Sequence, residues 1–485
     1  MINFISNDPL APAHQPREVA ARPDRKPELA GFLVTGNEPE AVYPVGTPGF
    51  LRWQSRQAAI LAVEAWEEAL EAPITSWAAA LDDPSTIVLV PDAGTDLNAF
   101  YDRASLSFFH RSGSGRTVFS GASTDVVAHE TGHALLDALR PDLWDTSFLE
   151  VGGAHEAFGD ITALLTALAD KSTRQDLLGL VPDLGTAHFV EATAEDLSDG
   201  VRLFIGAMHP ASKPRRALNT FSWQLPETMS RQGGPDDMIA EVHSIARILT
   251  GCFYDVLRAL YREQEQTENG LWEATRIAAR LAWSGFANAP EVPRFFRAVG
   301  RQMALAAGTQ SEEMSRLVSK AFTRHGVALG ASALLAPELA LAGDAPQFNR
   351  STAVADVQDA TIDDLRRRLG TGSAPVDVSM VRVDNTSVAK VSFHVDVALD
   401  DVDPRLAGVV CPTNVPALVG ESGHSAALLH APRQDVATEE TQQFVRVLIA
   451  NDQLAFDQES PRGPTHVVGQ RDEGTRELRR VGFSC

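Results

Sequence analysis

Cysteine is scarce in this chain of 485 residues: Cys252, Cys411 and Cys485 lie far apart with no paired spacing. That excludes a disulfide framework or a thiolate zinc knot as the organising element, and it fits a reducing compartment. Positive charge is also in deficit, with 42 Lys and Arg against 64 Asp and Glu and a formal net charge of -22. Such a surface does not draw phosphate backbones or anionic lipid, so nucleic acid and membrane are not expected partners. Long apolar runs are missing too. No stretch approaches the ~20 apolar residues of a membrane span, and residues 1–30 hold no apolar run fit for a signal-peptide core. A cytoplasmic location is therefore expected, with a leaderless route or a leader lost before residue 1 left open. No internal repeat of solenoid or propeller length is visible.

What is present is apolar residue in quantity, 44% of the chain, enough for two or three globular domains. Residues 1–50 are rich in Pro, Ala and charge and read as an extended segment lying on the body. Between Arg52 and Glu71, Ile60, Leu61, Val63 and Trp66 fall at helical spacing. TIVLV at 86–90 reads as a buried strand, and LSFF (106–109), SGSG (112–115) and TVFS (117–120) read as a hairpin. A long helix is expected from Ser123–Asp125, through VVAHETGHALLDAL, to just before Pro141. From about 242 to 327 the pattern is predominantly helical. Beyond Leu329, β-branched stretches at 378–383 and 390–399 and a helix at 438–450 predict a separate small domain. The expected class is α+β: a strand-containing unit over 51–240, a helical unit over 241–328, and an α+β unit over 329–485.

His129-Glu130-Thr131-Gly132-His133 places two imidazoles four residues apart, hence on one face of a helix, where they can share one ion. Glu130 stands beside that face and can act as a general base without being forced to ligate. A catalytic zinc needs a third protein ligand. The third histidine of the metzincin continuation is absent; instead Gly152-Gly153-Ala154-His155-Glu156-Ala157-Phe158-Gly159-Asp160 opens a second helical pattern with Glu156 and Asp160 one turn apart. Glu156 can supply the ligand. Asp160 is the candidate to accept the other ring N–H of a ligating histidine, which fixes its tautomer. Alone, this pair reads as a solvated acidic face. After HExxH, and beside Ile161, Leu164 and Leu165, it reads as part of a buried site, where unpaired carboxylates are costly.

These residues resemble the thermolysin family of gluzincins. DVVAHETGHALLDAL is similar to its active-site helix, and GGAHEAFGD to the helix that carries its ligand Glu. Leu97-Asn98-Ala99-Phe100-Tyr101 resembles the family's substrate-binding edge strand, which implies such roles for Asn98 and Ala99. Arg216-Ala217-Leu218-Asn219 looks like the segment supplying a carbonyl-binding arginine, Arg216. Glu241-Val242-His243-Ser244 looks like the source of a transition-state histidine, His243, with Asp237, or its neighbour Asp236, placed to orient it. Residues 312–327 resemble the closing helix of the family's catalytic domain. The resemblance covers roughly 85–328. His155 departs from it, standing where relatives carry Asn, and no tyrosine precedes Glu156 where the family has a second oxyanion donor. Asp125 matches one calcium carboxylate, but Ala207 stands where another is expected, so bound calcium is not expected. A propeptide and leader are missing, and the extension over 329–485 has no counterpart.

The implied activity is a neutral zinc endopeptidase with one Zn²⁺ held by His129, His133 and Glu156. Glu130 is its base, His243 and Arg216 stabilise the oxyanion, and an extended peptide or protein substrate is laid along the Asn98 strand. The rival is a zinc-stabilised gluzincin scaffold with little proteolysis, whose 329–485 unit engages a protein partner. Retention of Glu130 favours hydrolysis, because a non-catalytic zinc has no need of a base. An amide hydrolase acting on non-peptide substrates also stays open.

Overall fold

In the computed structural model, residues 1–11, 16–330, 339–346, 348, 355–383, 386–456, 464–471 and 474–484 are described. The chain is α+β. Short strands β1 (Ile2–Phe4) and β2 (Arg17–Val19) pair antiparallel, and β3 (Gly31–Val34) enters a larger sheet, so the first fifty residues contribute strands to the body. Helix α1 (Pro48–Leu70) starts four residues before the Arg52 expected from the apolar spacing: Thr47 accepts from the Phe50 N–H, and Pro48 supplies the preset φ of a first turn. Strand β4 (Thr86–Val90) alternates as its β-branched sequence demands, Ile87 and Leu89 turned inward. It is followed by β5 (Ala99–Tyr101), β6 (Ser105–Phe108), β7 (His110–Gly113) and β8 (Arg116–Phe119). The hairpin is β7 with β8, not 106–109 with 117–120. Strand β6 instead joins β4 in parallel and β5 in antiparallel sense. The expected pairing misses this because Ser120 accepts from and donates to Phe109, ending β6 one residue early and restarting the chain as β7.

Helix α2 (Thr124–Leu139) and helix α3 (Leu149–Ala169) form the centre. Helix α3 is apolar almost all round and buried along its length, as such a helix must be. The Trp66 ring of α1 stacks on Phe158 of α3 at 5.0 Å, and its indole N–H donates to Thr162 at 3.1 Å. Next come α4 (Lys171–Leu180), β9 (Ala192–Thr193), α5 (Glu195–Phe204) and β10 (Arg215–Arg216). The helical stretch then comprises α6 (Val242–Glu263), α7 (Glu268–Asn288), α8 (Phe295–Gly308) and α9 (Glu312–Arg324).

The remaining chain builds β11 (Leu339–Asp344), α10 (Asp359–Leu369), β12 (Val376–Val383), β13 (Thr386–Ala398), β14 (Val409–Ser422) and β15 (Ser425–His430). It continues as α11 (Gln434–Ala450), β16 (Leu454–Ala455), β17 (His466–Gln470), β18 (Arg476–Arg480) and β19 (Phe483–Ser484). Strands β11–β18 form one eight-stranded sheet around the long antiparallel pair β13–β14. Its apolar residues and those of the central helices fall in one buried cluster. The buried Lys390 ammonium of β13 lies 3.0 Å from Asp142 and 3.2 Å from Glu291, one from each of the two preceding units. Its last strand leaves the sheet entirely. Strand β19 is the outer member of the sheet ordered β19-β5-β6-β4-β3. No helix among the described residues is long and apolar enough to cross a membrane. Cys252 and Cys411 are buried free thiols, and Cys485 lies outside the described residues.

One buried charge in this frame gives a measurable pH effect. Glu150, 2% exposed, accepts from the Phe296 N–H and the Trp223 indole. Burial pushes its carboxyl up to about 7. Because the folded value lies above the unfolded one, the unfolded chain ionises first. Stability therefore falls as pH rises from about 4.5 to about 7, by on the order of 3 kcal/mol, and then levels off. Glu150→Gln keeps the acceptor and removes the charge. It is expected to stabilise the protein at pH 8 and leave it near wild type at pH 4.5, measured by denaturant unfolding; a difference independent of pH would sink this account.

Candidate metal centre

The two helical periods converge. His129 and His133 leave α2 on the face turned to α3, their ring centroids 4.8 Å apart and their planes at 90°. Glu156 of α3 reaches both: one oxygen lies 3.2 Å from His129 Nε2, the other 3.7 Å from His133 Nε2. A tetrahedral ion with donors about 2.1 Å away separates those donors by about 3.4 Å, so this spacing suits one. His129, Glu130 and His133 also each offer an atom within 4.8 Å of the others, all fully buried. His129 Nε2, His133 Nε2, one Glu156 oxygen and both Glu130 oxygens are buried without a hydrogen-bond partner. Buried polar atoms are rarely left so, and a group of this kind could hold a metal ion.

The close approach has a backbone cause. A Cβ on Gly132 would fall 2.9 Å from the Gly159 Cα, and one on Gly159 2.6 Å from the His129 ring, so the helices cross on two glycines.

Asp160 accepts from His129 Nδ1 at 3.0 Å, leaving Nε2 turned toward Glu156. Although burial opposes its charge, the Arg215 guanidinium, 2.9 Å away, and His129 hold the Asp160 carboxyl well below the usual range. For His129, burial is outweighed by its bond to Asp160 and the nearby Glu156 carboxylate, which raise it to about 9. Burial and the neighbouring Glu156 push Glu130 up to about 8, against the pull of His129.

His243, at the start of α6, points Nε2 to within 3.2 Å of Glu156 and Nδ1 to within 2.7 Å of Glu241. Against burial, Glu156 and Glu241 keep it protonated up to about 10. Glu241 does double duty: one oxygen caps α6 by accepting from the Ser244 N–H at 2.9 Å, the other holds His243. Asp237, expected in that role, accepts instead from the Gly234 N–H at 2.7 Å, and Asp236 pairs with Lys213. Arg216 is likewise displaced from its expected place. Its guanidinium binds Glu191, while Arg215, on the opposite side of β10, reaches Asp160 and His129. Asn98 stands just before β5, its side chain accepting from the Ala99 N–H at 2.9 Å, and Ala99 is buried opposite Phe108.

The carboxylate of Asp125 accepts from the N–H groups of Val126 and Ala194. His155 is buried with both ring nitrogens unpartnered, and burial holds it well below its ordinary value, so it is neutral. Its ring stacks on Phe483 of β19 at 4.1 Å, and Phe483 also stacks on His133 at 4.7 Å. The Ser484 carbonyl accepts from His243 Nε2 at 2.7 Å. The sequence reading missed Arg215, Glu241 and Phe483. Neither a protein-family model nor a curated protein matches this chain.

Proposed function

We propose that the chain is a thermolysin-like zinc endopeptidase. The observation that carries this reading is the buried set of His129, His133 and Glu156 with the two partnerless oxygens of Glu130 beside it. Two imidazoles and a carboxylate form a donor set that suits zinc and leaves a coordination position open. When bound, zinc supplies a Lewis acid that lowers the pKa of water toward ~7.

The protein's own groups do the rest. Glu130 takes the proton of the attacking water as it adds to the scissile carbonyl, then passes it to the leaving amine, so no acyl-enzyme forms. Protonated His243, oriented by Glu241, donates from Nε2 to the developing oxyanion. Asp160 holds His129, and Arg215 holds Asp160. The substrate is an extended peptide added to the edge of β5, its main chain paired and its alternate side chains pointing toward and away from the helices.

The rival reading, a zinc-stabilised scaffold that binds a partner, draws support from the lack of a tyrosine donor ahead of Glu156. Glu130 counts against it, because leaving a carboxylate buried and unpartnered is costly unless it is used. The test is a mixed peptide library incubated with zinc-loaded protein and read by mass spectrometry. New termini that depend on zinc and on Glu130 are expected. Their absence from both the wild type and a Phe483→Ala chain would overturn the peptidase reading.

A further inference from the structure

Strand β19 lies where the substrate is proposed to lie. Phe483 pairs with Tyr101 and Ser484 with Phe100, antiparallel to β5, so the segment is an added strand on that edge. Its carbonyl at Ser484 already meets His243 Nε2 at 2.7 Å. The approach is tight: a Cβ on Gly482 would sit 2.3 Å from the Phe100 ring and 2.7 Å from the Tyr101 carbonyl. Phe483, 2% exposed, fills a pocket whose walls are the imidazoles of His133 and His155 at 4.7 and 4.1 Å and the Trp144 ring at 5.5 Å. The Arg480 guanidinium covers it, 4.3 Å from the ring, while donating to the Trp144 carbonyl at 2.8 Å.

Phe483 and Trp144 belong to the main buried core, but two of the pocket's walls are imidazoles rather than apolar side chains. One is the second residue of the HExxH pair, and another is a histidine with both nitrogens unpartnered. A two-residue strand also offers few main-chain pairs to hold it on β5.

We infer that Gly482–Ser484 is a built-in competitor for the substrate edge. It must leave β5 before an outside strand can bind, and the pocket of His133, His155 and Trp144 that takes Phe483 selects an aromatic side chain one residue before the carbonyl that meets His243. This rests on the peptidase reading for its catalytic meaning but not for its binding test. A tethered segment competes at a high effective concentration, so its displacement tightens the binding of an outside strand by about 10-fold or more.

The experiment uses the full chain as wild type, Phe483→Ala and Gly482→Val, the last designed to clash with Phe100. The probe is a fluorescein-labelled peptide of sequence Arg-Val-Gly-Phe-Ser, followed by anisotropy. Expected is at least about 10-fold tighter binding to both variants than to wild type, and about 10-fold weaker binding when the probe's Phe is Ala. Equal affinity for all three chains, or no binding by any, overturns the inference. Thermal unfolding of each variant identifies one that fails to fold, in which case the other decides.

The two readings separate. Variants that bind the probe more tightly but cleave no peptide leave the competitor standing and remove the peptidase. Variants that cleave and bind as wild type does leave the peptidase standing and remove the competitor.

Discussion

Glu130→Gln is expected to retain the metal and lose hydrolysis, with turnover falling by about 10²–10⁴-fold. The substitution is nearly isosteric, and the amide cannot accept a proton from water at neutral pH. Both Glu130 oxygens are buried and unpartnered, so no hydrogen bond within the chain is broken by the exchange. His129 and His133 keep their mutual geometry, and Glu156 keeps its distances to both, so metal content by mass spectrometry should equal that of wild type. The measurement is kcat on a peptide identified from the library, alongside metal content. Equal loss of metal and activity would mean that Glu130 is itself a ligand, and unchanged kcat would remove it as base. Stability adds a second readout. Glu130 is a carboxyl pushed up to about 8 by burial when no cation is near. The amide should therefore make the metal-free protein more stable at alkaline pH.

Much of the site could be read from the chain because its parts are local. Four residues separate His129 from His133, and four separate Glu156 from Asp160. On a helix each spacing makes one face, and the apolar residues around them mark the helices as buried. What sequence could not supply was parity and distance. Arg215 and Arg216 are adjacent in a two-residue strand, where neighbours point to opposite sides, so a shift of one exchanges the residue at Asp160 for the residue at Glu191. The family resemblance pointed to Arg216, and the arginine at Asp160 is Arg215. Glu241 carried a readable signal, an acidic N-cap three residues before Ser244, but Asp237, six residues before His243, drew the assignment. The hairpin failed through a single irregular residue, Phe109. Strand β19 has no sequence signature at all. Two residues have no period, and their partner lies some 380 residues earlier, so only the folded chain could place Phe483 against His133 and His155.

Gly159→Val is expected to separate the two halves of the site without touching a ligand. A Cβ at 159 lies 2.6 Å from the His129 ring before any γ-carbon is added, and the helix opposite presents Gly132, whose own Cβ position is 2.9 Å from the Gly159 Cα. The side chain in the way is the His129 ring itself, which cannot turn aside without giving up its 3.0 Å bond to Asp160. The crossing must widen. Widening carries His129 away from both Glu156, at 3.2 Å, and Asp160, at 3.0 Å, so the ligand set and the group that orients it are lost together. Metal affinity should fall by about 100-fold or more. Overpacking of the core should lower stability by about 1–3 kcal/mol. Competition with a chromogenic chelator reads the first and denaturant unfolding the second. Gly179→Ala makes the matched control, since no atom lies within 4 Å of a Cβ there. Wild-type metal affinity in Gly159→Val would show that the helices hold the histidines and Glu156 by some other means than this glycine crossing.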